Sequence, residues 1–396
     1  MKIGVWLGED AVNTLGGAFS YTGRLMEMID SHTFPDGIEV CFVSLFGQGS
    51  TKKELIPLVK KSPFMIKFLT TPAFFKYIKR YYQWKFRRKG IAKLLNGTGV
   101  KLMYYPIQAK CLDSNFPFIA TNWDIGHRST HAFPEVMWDG NSFERRERFY
   151  NEILPKALMI FCESEAGKRE LVKYTKIGEH KIRIFPLFGG LVTTLNLSSE
   201  ENNAILQKYD LSEHGFFFYP AQFWAHKNHY NLIRSFAEVN KEHPHLKLVL
   251  SGADWGTMNY VKSLIEEYGI TKSVVFLGFV PVETLYCMYK NALALVFASH
   301  FGPTNMPPIE AMEIGCPVAC ADLDGHKEQL GNAAVYFDSY NYKSIKEAMF
   351  EIYNNNDEYR NRIVRQKLIS EYSSYRAMPC LDKLLLEVAE IRANWD

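Results

Sequence analysis

The stretch FGPTNMPPIEAMEIGCPV (residues 301–318) decides how the rest of the chain is read. A Gly-Pro turn, a Thr-Asn pair and Pro307-Pro308 stand directly before a helical pattern that opens on Ile309-Glu310. Proline is tolerated in the first turn of a helix, where unpaired amides and the positive end of the dipole attract anions. The apolar run ALALVFAS (292–299) precedes the turn, so the segment reads as the carboxyl end of a strand leading into a helix. A phosphate group is the first ligand expected there.

Working outward, short apolar runs alternate with amphipathic segments, the signature of parallel βαβ units. KIGVWLG, IEVCFVSLF, KLMYYP, FPFIATNWD, LMIFCES and KIRIFPLF are the strand candidates of the first half. FFFYPAQ, LKLVLSGA, SVVFLGFV, ALALVFAS, CPVACADL and AAVYFD repeat the pattern in the second. The loop-like stretch 187–204 lies between them as the candidate linker. With 396 residues, two domains are expected. We place a first Rossmann-like domain at 1–190, a second at 191–378, and a terminal helix at 379–396, where Leu384, Leu385 and Val388 form a stripe.

Composition narrows the class. Hydrophobic residues make up 47% of the chain, enough for two buried cores. Seven dispersed cysteines without a C-x-x-C pair point to reduced thiols, not to a disulfide frame or zinc site. Glu9 and Asp10 interrupt the N-terminus before any signal-length apolar run, and no segment nears the roughly 20 apolar residues that cross a bilayer, so a cytoplasmic protein is expected. The net charge is +3, yet residues 55–112 alone hold ten lysines and three arginines with no acid. The densest part, 64–95, interleaves those cations with Phe, Tyr and Trp. That mixture suits either a solvated basic helix face or, over residues 60–95, an anionic membrane surface at the inner face of the plasma membrane. Nothing resembles a nucleic-acid module.

Two further stretches carry chemistry. Gly16-Gly17 follows the first strand and precedes a helix with Leu25, Met28 and Ile29 on one face, a place where backbone can approach a diphosphate, though the G-x-G-x-x-G spacing is absent. YPAQFWAHKNHYNLIRSFAEV (219–239) runs from a strand end into a helix, so Lys227 adds a full charge to that helix's positive end. There is no H-E-x-x-H, G-x-x-x-x-G-K-[ST] or G-x-S-x-G motif. Asp322 and Asp324 form a D-x-D, a spacing common by chance, and no metal site is assigned to them.

YPAQFWAHKNH, FLGFV (276–280), FGPTNMPPIEAMEIGCPV and DGHKEQLGNAAVYFD (324–338), in this order, resemble the family-four retaining glycosyltransferases of the two-Rossmann-domain type called GT-B. In the first half the resemblance rests on Gly16-Gly17, TNWDIGHRSTHAFPE (121–135) and KIRIFP (181–186). It implies an α/β protein whose two parallel-sheet domains face a cleft, the first (1–190) binding the acceptor and the second (191–378) the nucleotide sugar, with the last helix crossing back to the first domain. It implies a hexose transferred from a nucleoside diphosphate sugar to a glycan or lipid-linked glycan, without a further cofactor or metal. Residue by residue, Glu310 would accept hydrogen bonds from the ribose hydroxyls and Lys227 would neutralise the departing diphosphate. Gly16, Gly17, Gly302, Pro303, Thr304, Asn305 and Met306 would cradle phosphate and donor sugar, with Gly278 and Phe279 against the base. Trp123, Asp124, His127 and Arg128 would stand on the acceptor side, His127 and Asp124 as further catalytic candidates.

The chain departs from the family pattern at three places. Gly302 stands eight positions before Glu310, where relatives carry the first glutamate of a pair; Ala221 and Gln222 occupy the region of an arginine; and Trp123 replaces the acceptor-side histidine. A sugar-nucleotide epimerase and a catalytically silent nucleotide-sugar-binding protein therefore stand as alternatives.

Overall fold

The computed structural model describes residues 1–7, 17–45, 51–58, 91–108, 111, 115–130, 132–133 and 142–394. Gly16 and most of the basic aromatic stretch, 59–90, lie outside the described residues. Thirteen strands form two sheets among those described: β1 (Lys2–Trp6), β2 (Glu39–Ser44), β3 (Leu55–Pro57), β4 (Val100–Tyr105), β5 (Phe118–Asn122), β6 (Met159–Cys162), β7 (Ile182–Ile184), β8 (Phe216–Pro220), β9 (Lys247–Ser251), β10 (Val274–Gly278), β11 (Ala294–Phe297), β12 (Val318–Ala321) and β13 (Ala334–Phe337). The first has the order β3-β2-β1-β4-β5-β6-β7 and the second β10-β9-β8-β11-β12-β13, with every pair parallel. Both domains are thus Rossmann-like and doubly wound, as the sequence pattern predicts.

The strands read as near-continuous apolar runs because helices cover both faces of a parallel sheet. Phe216–Tyr219 of β8 (Phe216–Pro220) and Ala294–Phe297 of β11 are almost completely buried. All twelve predicted strands are present. The strand that escaped prediction, β3 (Leu55–Pro57), has only three residues, lies at a sheet edge and ends on proline, so it carries no alternation to read.

Eight helices are used below: α1 (Gly17–Ser31), α2 (Glu165–Tyr174), α3 (His229–Glu242), α4 (Met258–Glu267), α5 (Val282–Asn291), α6 (Met306–Ile314), α7 (Asp324–Leu330) and α8 (Ser374–Ala393). Helix α6 opens three residues earlier than Ile309, taking Pro307 and Pro308 into its first turn. The predicted linker also ends early. Ser198 and Glu201 form a capping box that starts a helix at Ser199, and Val192 is buried within the preceding 3-10 turn.

The two domains share one continuous apolar core, in which Tyr21 and Leu25 of α1 join Phe188, Val192 and Leu385 of α8. Helix α8 returns to the first domain: Asp382 meets His32 at 2.9 Å, and Glu387 accepts from Arg183 Nε at 2.8 Å. No helix among the described residues is long and apolar enough to cross a membrane.

A buried carboxylate ties these parts together. Glu313 of α6 accepts from Arg24 of α1 at 3.1 Å, from the Gly189 amide at 3.1 Å, and from the Ser374 amide and hydroxyl at 2.9 and 3.1 Å. First domain, interdomain segment and α8 converge on one side chain. Removing one partner of a buried charged network leaves the others unsatisfied. Glu313→Ala should therefore cost about 3 kcal/mol in urea unfolding, whereas a loss below about 0.5 kcal/mol, the range of ordinary surface substitutions, would show that the network does not hold the domains.

Candidate functional site

The order of the second sheet reverses between β8 and β11, and ligands of doubly wound sheets bind at such a point beyond the carboxyl ends of the strands. Two segments meet there. After β8, the turn Ala225–Lys227 leads into α3, with Asn228 in the left-handed region (φ 58) as its N-cap. After β11, residues 299–305 lead into α6. Asn228 joins the two by donating from Nδ2 to the carbonyls of Ala298 and Ser339 at 3.0 and 2.7 Å.

Lys227 points its ammonium at the second segment. Nζ lies 3.3 Å from Asn305 Oδ1, 3.5 Å from Ser299 Oγ and 5.2 Å from the centre of the Phe297 ring. Lys227 is thus held by an amide oxygen, a hydroxyl and an aromatic face.

The orientation of Asn305 is set from below by His326. This fully buried ring has Nδ1 2.8 Å from the Ala321 carbonyl and Nε2 3.0 Å from Asn305 Nδ2. A carbonyl only accepts, so Nδ1 carries the proton and Nε2 accepts from the Asn305 amide, which turns Oδ1 toward Lys227. Burial lowers the His326 pKa to about 4, so the ring stays neutral near pH 7. Sequence reading missed this role, although His326 lies inside the DGHKEQ motif. Gly325 beside it is equally constrained: a Cβ there would lie 1.2 Å from the Pro303 carbonyl oxygen.

With its side chain engaged by His326 and Lys227, Asn305 makes no side-chain cap on α6. Pro307 and Pro308 have no N–H, so the donors at this helix start are the amides up to Met306. Thr304 is buried beside them, and its hydroxyl has no partner among the described residues. Gly302 takes φ 123 and packs against Asn305. The predicted donor residues Gly302, Pro303, Thr304, Asn305, Met306 and Lys227 are thus brought together. Gly278 ends β10 with φ 67, and Phe279 after it is 57% exposed.

Glu310 lies one turn into α6, buried against the interdomain segment. Tyr289 of α5 donates to its Oε2 at 2.8 Å, and a Cβ on Gly190 would approach its Oε1 to 3.0 Å. Burial raises its pKa to about 7.

The first domain meets this site through the loop after β5 (Phe118–Asn122). Gly126 packs so closely on Phe301 that a Cβ would lie 2.3 Å from the ring, and Phe133 stacks on His300 at 6.1 Å and edge-on to His226 at 6.0 Å. Trp123 stands edge-on to Tyr21 at 6.1 Å. Asp124 accepts from the Gly126 amide at 2.8 Å and pairs with Arg146 at 3.0 Å. His127 is fully buried, with Nε2 2.8 Å from Glu147 and its ring on Tyr150 at 5.1 Å. Arg128 forks onto the same Glu147 at 2.6 and 2.7 Å, which holds that carboxylate down to a pKa of about 2. Gly17 opens α1. Asp322 and Asp324 are engaged separately, with Lys327 and Arg169.

Comparison with known proteins agrees with this layout. Residues 201–368 match the family model described as Glycosyl transferases group 1, which bears out the resemblance read from the sequence. O-antigen chain mannosyltransferase B of Escherichia coli is 26% identical over 210 residues, 50% of this chain and 52% of that protein. O-antigen chain mannosyltransferase RfbU of Salmonella typhimurium is 27% identical over 169 residues, 41% and 47% respectively. The chain thus spans about half the length of these curated relatives. Among solved structures, sucrose-phosphate synthase from Thermosynechococcus elongatus superposes with TM-score 0.68 at 17% identity over 99% of both chains. The lipopolysaccharide glycosyltransferase WaaG does so with 0.66 at 12% identity, over 96% of this chain and 98% of its own. Among the described residues the GT-B fold is shared by both domains.

Glu310 gives the site a pH signature. Its folded-state pKa lies above that of an exposed glutamate, so the folded protein holds this proton more tightly than the unfolded chain. Its contribution is present below pH about 4.5 and lost as pH rises through about 7. Glu310→Gln should remove a decline on the order of 2 kcal/mol between those limits. Urea unfolding at pH 5 and pH 8 measures it, and equal pH profiles for variant and parent would contradict the assignment.

Proposed function

We propose that this protein is a glycosyltransferase that moves a hexose from a nucleoside diphosphate sugar to a glycan or lipid-linked glycan during synthesis of a bacterial-type surface polysaccharide, with retention at the anomeric carbon. The observation that carries the reading is the Lys227 ammonium, held by Asn305 and Phe297 at the reversal point of the second sheet and facing the start of α6. Breaking the bond between sugar and diphosphate leaves growing negative charge on the β-phosphate oxygens while the anomeric carbon becomes cation-like. Charge and donors already in place lower the barrier because they do not have to reorganise.

In this reading Lys227 and the amides leading to Met306 neutralise the leaving diphosphate, the Thr304 hydroxyl donates to it or to the donor sugar, and Glu310 receives the ribose hydroxyls. The charge a divalent cation would otherwise bring is supplied by the protein. Gly126 and Phe133 press the first-domain loop against His226, His300 and Phe301, which supports a cleft that excludes water from the activated sugar. Trp123 and Asp124 belong to the face from which an acceptor hydroxyl would approach. The names of the relatives support a mannosyl donor and an O-antigen type of acceptor. The composition of residues 60–95 supports docking of that acceptor's membrane, an anionic lipid surface.

The test is nucleoside diphosphate release from a panel of UDP-, GDP- and dTDP-sugars, with and without membrane extract and with chelator present. Release that depends on one sugar and on the extract is expected, and Lys227→Ala should slow it about 10²- to 10³-fold. In the same preparation, cosedimentation with anionic but not neutral vesicles is expected. Epimer formation without release, or thermal stabilisation by a nucleotide sugar without turnover, would replace the transferase reading by the epimerase or the silent binder.

A further inference from the structure

We propose that Glu328 of α7 is a positioning residue for the transfer reaction: by joining α7 to α2 of the first domain, it makes the placement of Asn305 and Lys227 depend on contact between the domains. The proposal rests on the transferase reading. Helix α7 carries separate tasks on two faces. Gly325 and His326 share one face with Gln329, four and three residues further on, while Asp324 and Glu328, four apart, share another.

The first face grips residues 303–305 at three points. Gly325 lies against the Pro303 carbonyl with no room for a Cβ, and His326 Nε2 accepts from Asn305 Nδ2 at 3.0 Å. The fully buried Gln329 donates from Nε2 to the Asn305 carbonyl at 3.2 Å. Side chain and backbone of Asn305 are thus both held by α7. In a close-packed setting a shift of this helix carries with it the Asn305 oxygen, which lies 3.3 Å from Lys227 Nζ.

The second face meets the first domain. Glu328 Oε2 accepts from the Glu165 backbone amide at 2.9 Å, and Arg169 donates from Nη2 to Glu328 Oε1 at 3.4 Å and to Asp324 Oδ2 at 2.8 Å. Glu165 is the first residue of α2, so its amide has no partner within the helix and lies at the positive end of the dipole. Ser164, the N-cap, is spent on the Gly167 amide. Tyr372, on the segment leading to α8, donates to the same Glu328 Oε2 at 3.2 Å. Magnitudes identify the join that matters. Arg169 and Asp324 are 57% and 75% exposed, and so open an ion pair adds little. Glu328 is only 24% exposed, and a carboxylate on an otherwise unpaired helix amide is the stronger contact.

The test compares binding of UDP with UMP, and of GDP with GMP, by calorimetry on the full chain. The ratio of the two affinities reads the grip on the second phosphate, where Lys227 acts in the proposed reading. The parent should prefer the diphosphate, and Glu328→Ala should shrink that preference about tenfold. Glu328→Gln, which keeps an oxygen for the Glu165 amide, should stay within about twofold of the parent. Arg169→Ala should shrink the preference about threefold, and its exposed position makes it the deciding variant if Glu328→Ala does not fold. Added to Lys227→Ala, Glu328→Ala should cost nothing further, because it acts through that ammonium. The proposal is overturned if the parent has no preference for the diphosphate, if the folded alanine variants at 328 and 169 keep the parent's preference, or if the losses from Glu328→Ala and Lys227→Ala multiply. Failure of the transferase reading registers separately, as no sugar-dependent nucleotide release from a parent that still prefers the diphosphate.

Discussion

A lysine ammonium fixed where the strand order of the second sheet reverses is the constraint around which the site is organised. Its position depends on a chain of neutral hydrogen bonds: the Ala321 carbonyl orients His326, His326 orients Asn305, and Asn305 presents oxygen to Lys227. The first link is buried and the others are partly buried, so each group is held to one orientation by the cost of leaving it unpaired. The neutral state of His326 matters in that chain, because a protonated ring would present a donor to the Asn305 amide and turn its oxygen away from Lys227. The same engagement of Asn305 leaves the start of α6 without a side-chain cap. In the proposed reading, one set of contacts thus prepares both the cation and the helix amides for an anionic ligand.

The second requirement is that the two domains meet at this place. Glu313, one turn beyond Glu310 on α6, gathers Arg24, Gly189 and Ser374, while α8 fastens to the first domain through Asp382 and Glu387. Spacing of three on a helix puts Glu310 and Glu313 on one face, where both reach the interdomain segment. Glu310 meets Gly190 and Glu313 meets Gly189, so the residue read as a ribose acceptor and the residue that holds the domains together share one short stretch of backbone. In the proposed reading, a ligand on Glu310 would touch a side chain that packs on this interdomain segment.

Much of this was legible in the chain. Twelve strands stood out because strands buried on both faces are apolar throughout, and the Lys227 and 301–310 segments were recognisable as strand-to-helix turns. What escaped was non-local. The capping box at Ser198 and Glu201 was written in the sequence yet lay inside a polar run that resembled a linker. His326 and Gly325 are defined by Asn305 and Pro303, some twenty residues away in the chain, and Arg24 finds Glu313 at a separation of 289 residues. The enclosure of His127 by Glu147 and Tyr150 depends on a helix whose sequence, rich in Glu and Arg, reads as a solvated surface. Periodicity reports which face of an element is buried, but not which distant polar group it is buried against.

The most direct test of the account is a crystal structure of the protein with UDP or GDP bound. The diphosphate should lie within hydrogen-bond reach of Lys227 Nζ and of the backbone amides between Thr304 and Met306, with the ribose hydroxyls on Glu310. A diphosphate seated elsewhere, with Lys227 still turned to Asn305 and no ligand at the start of α6, would contradict it.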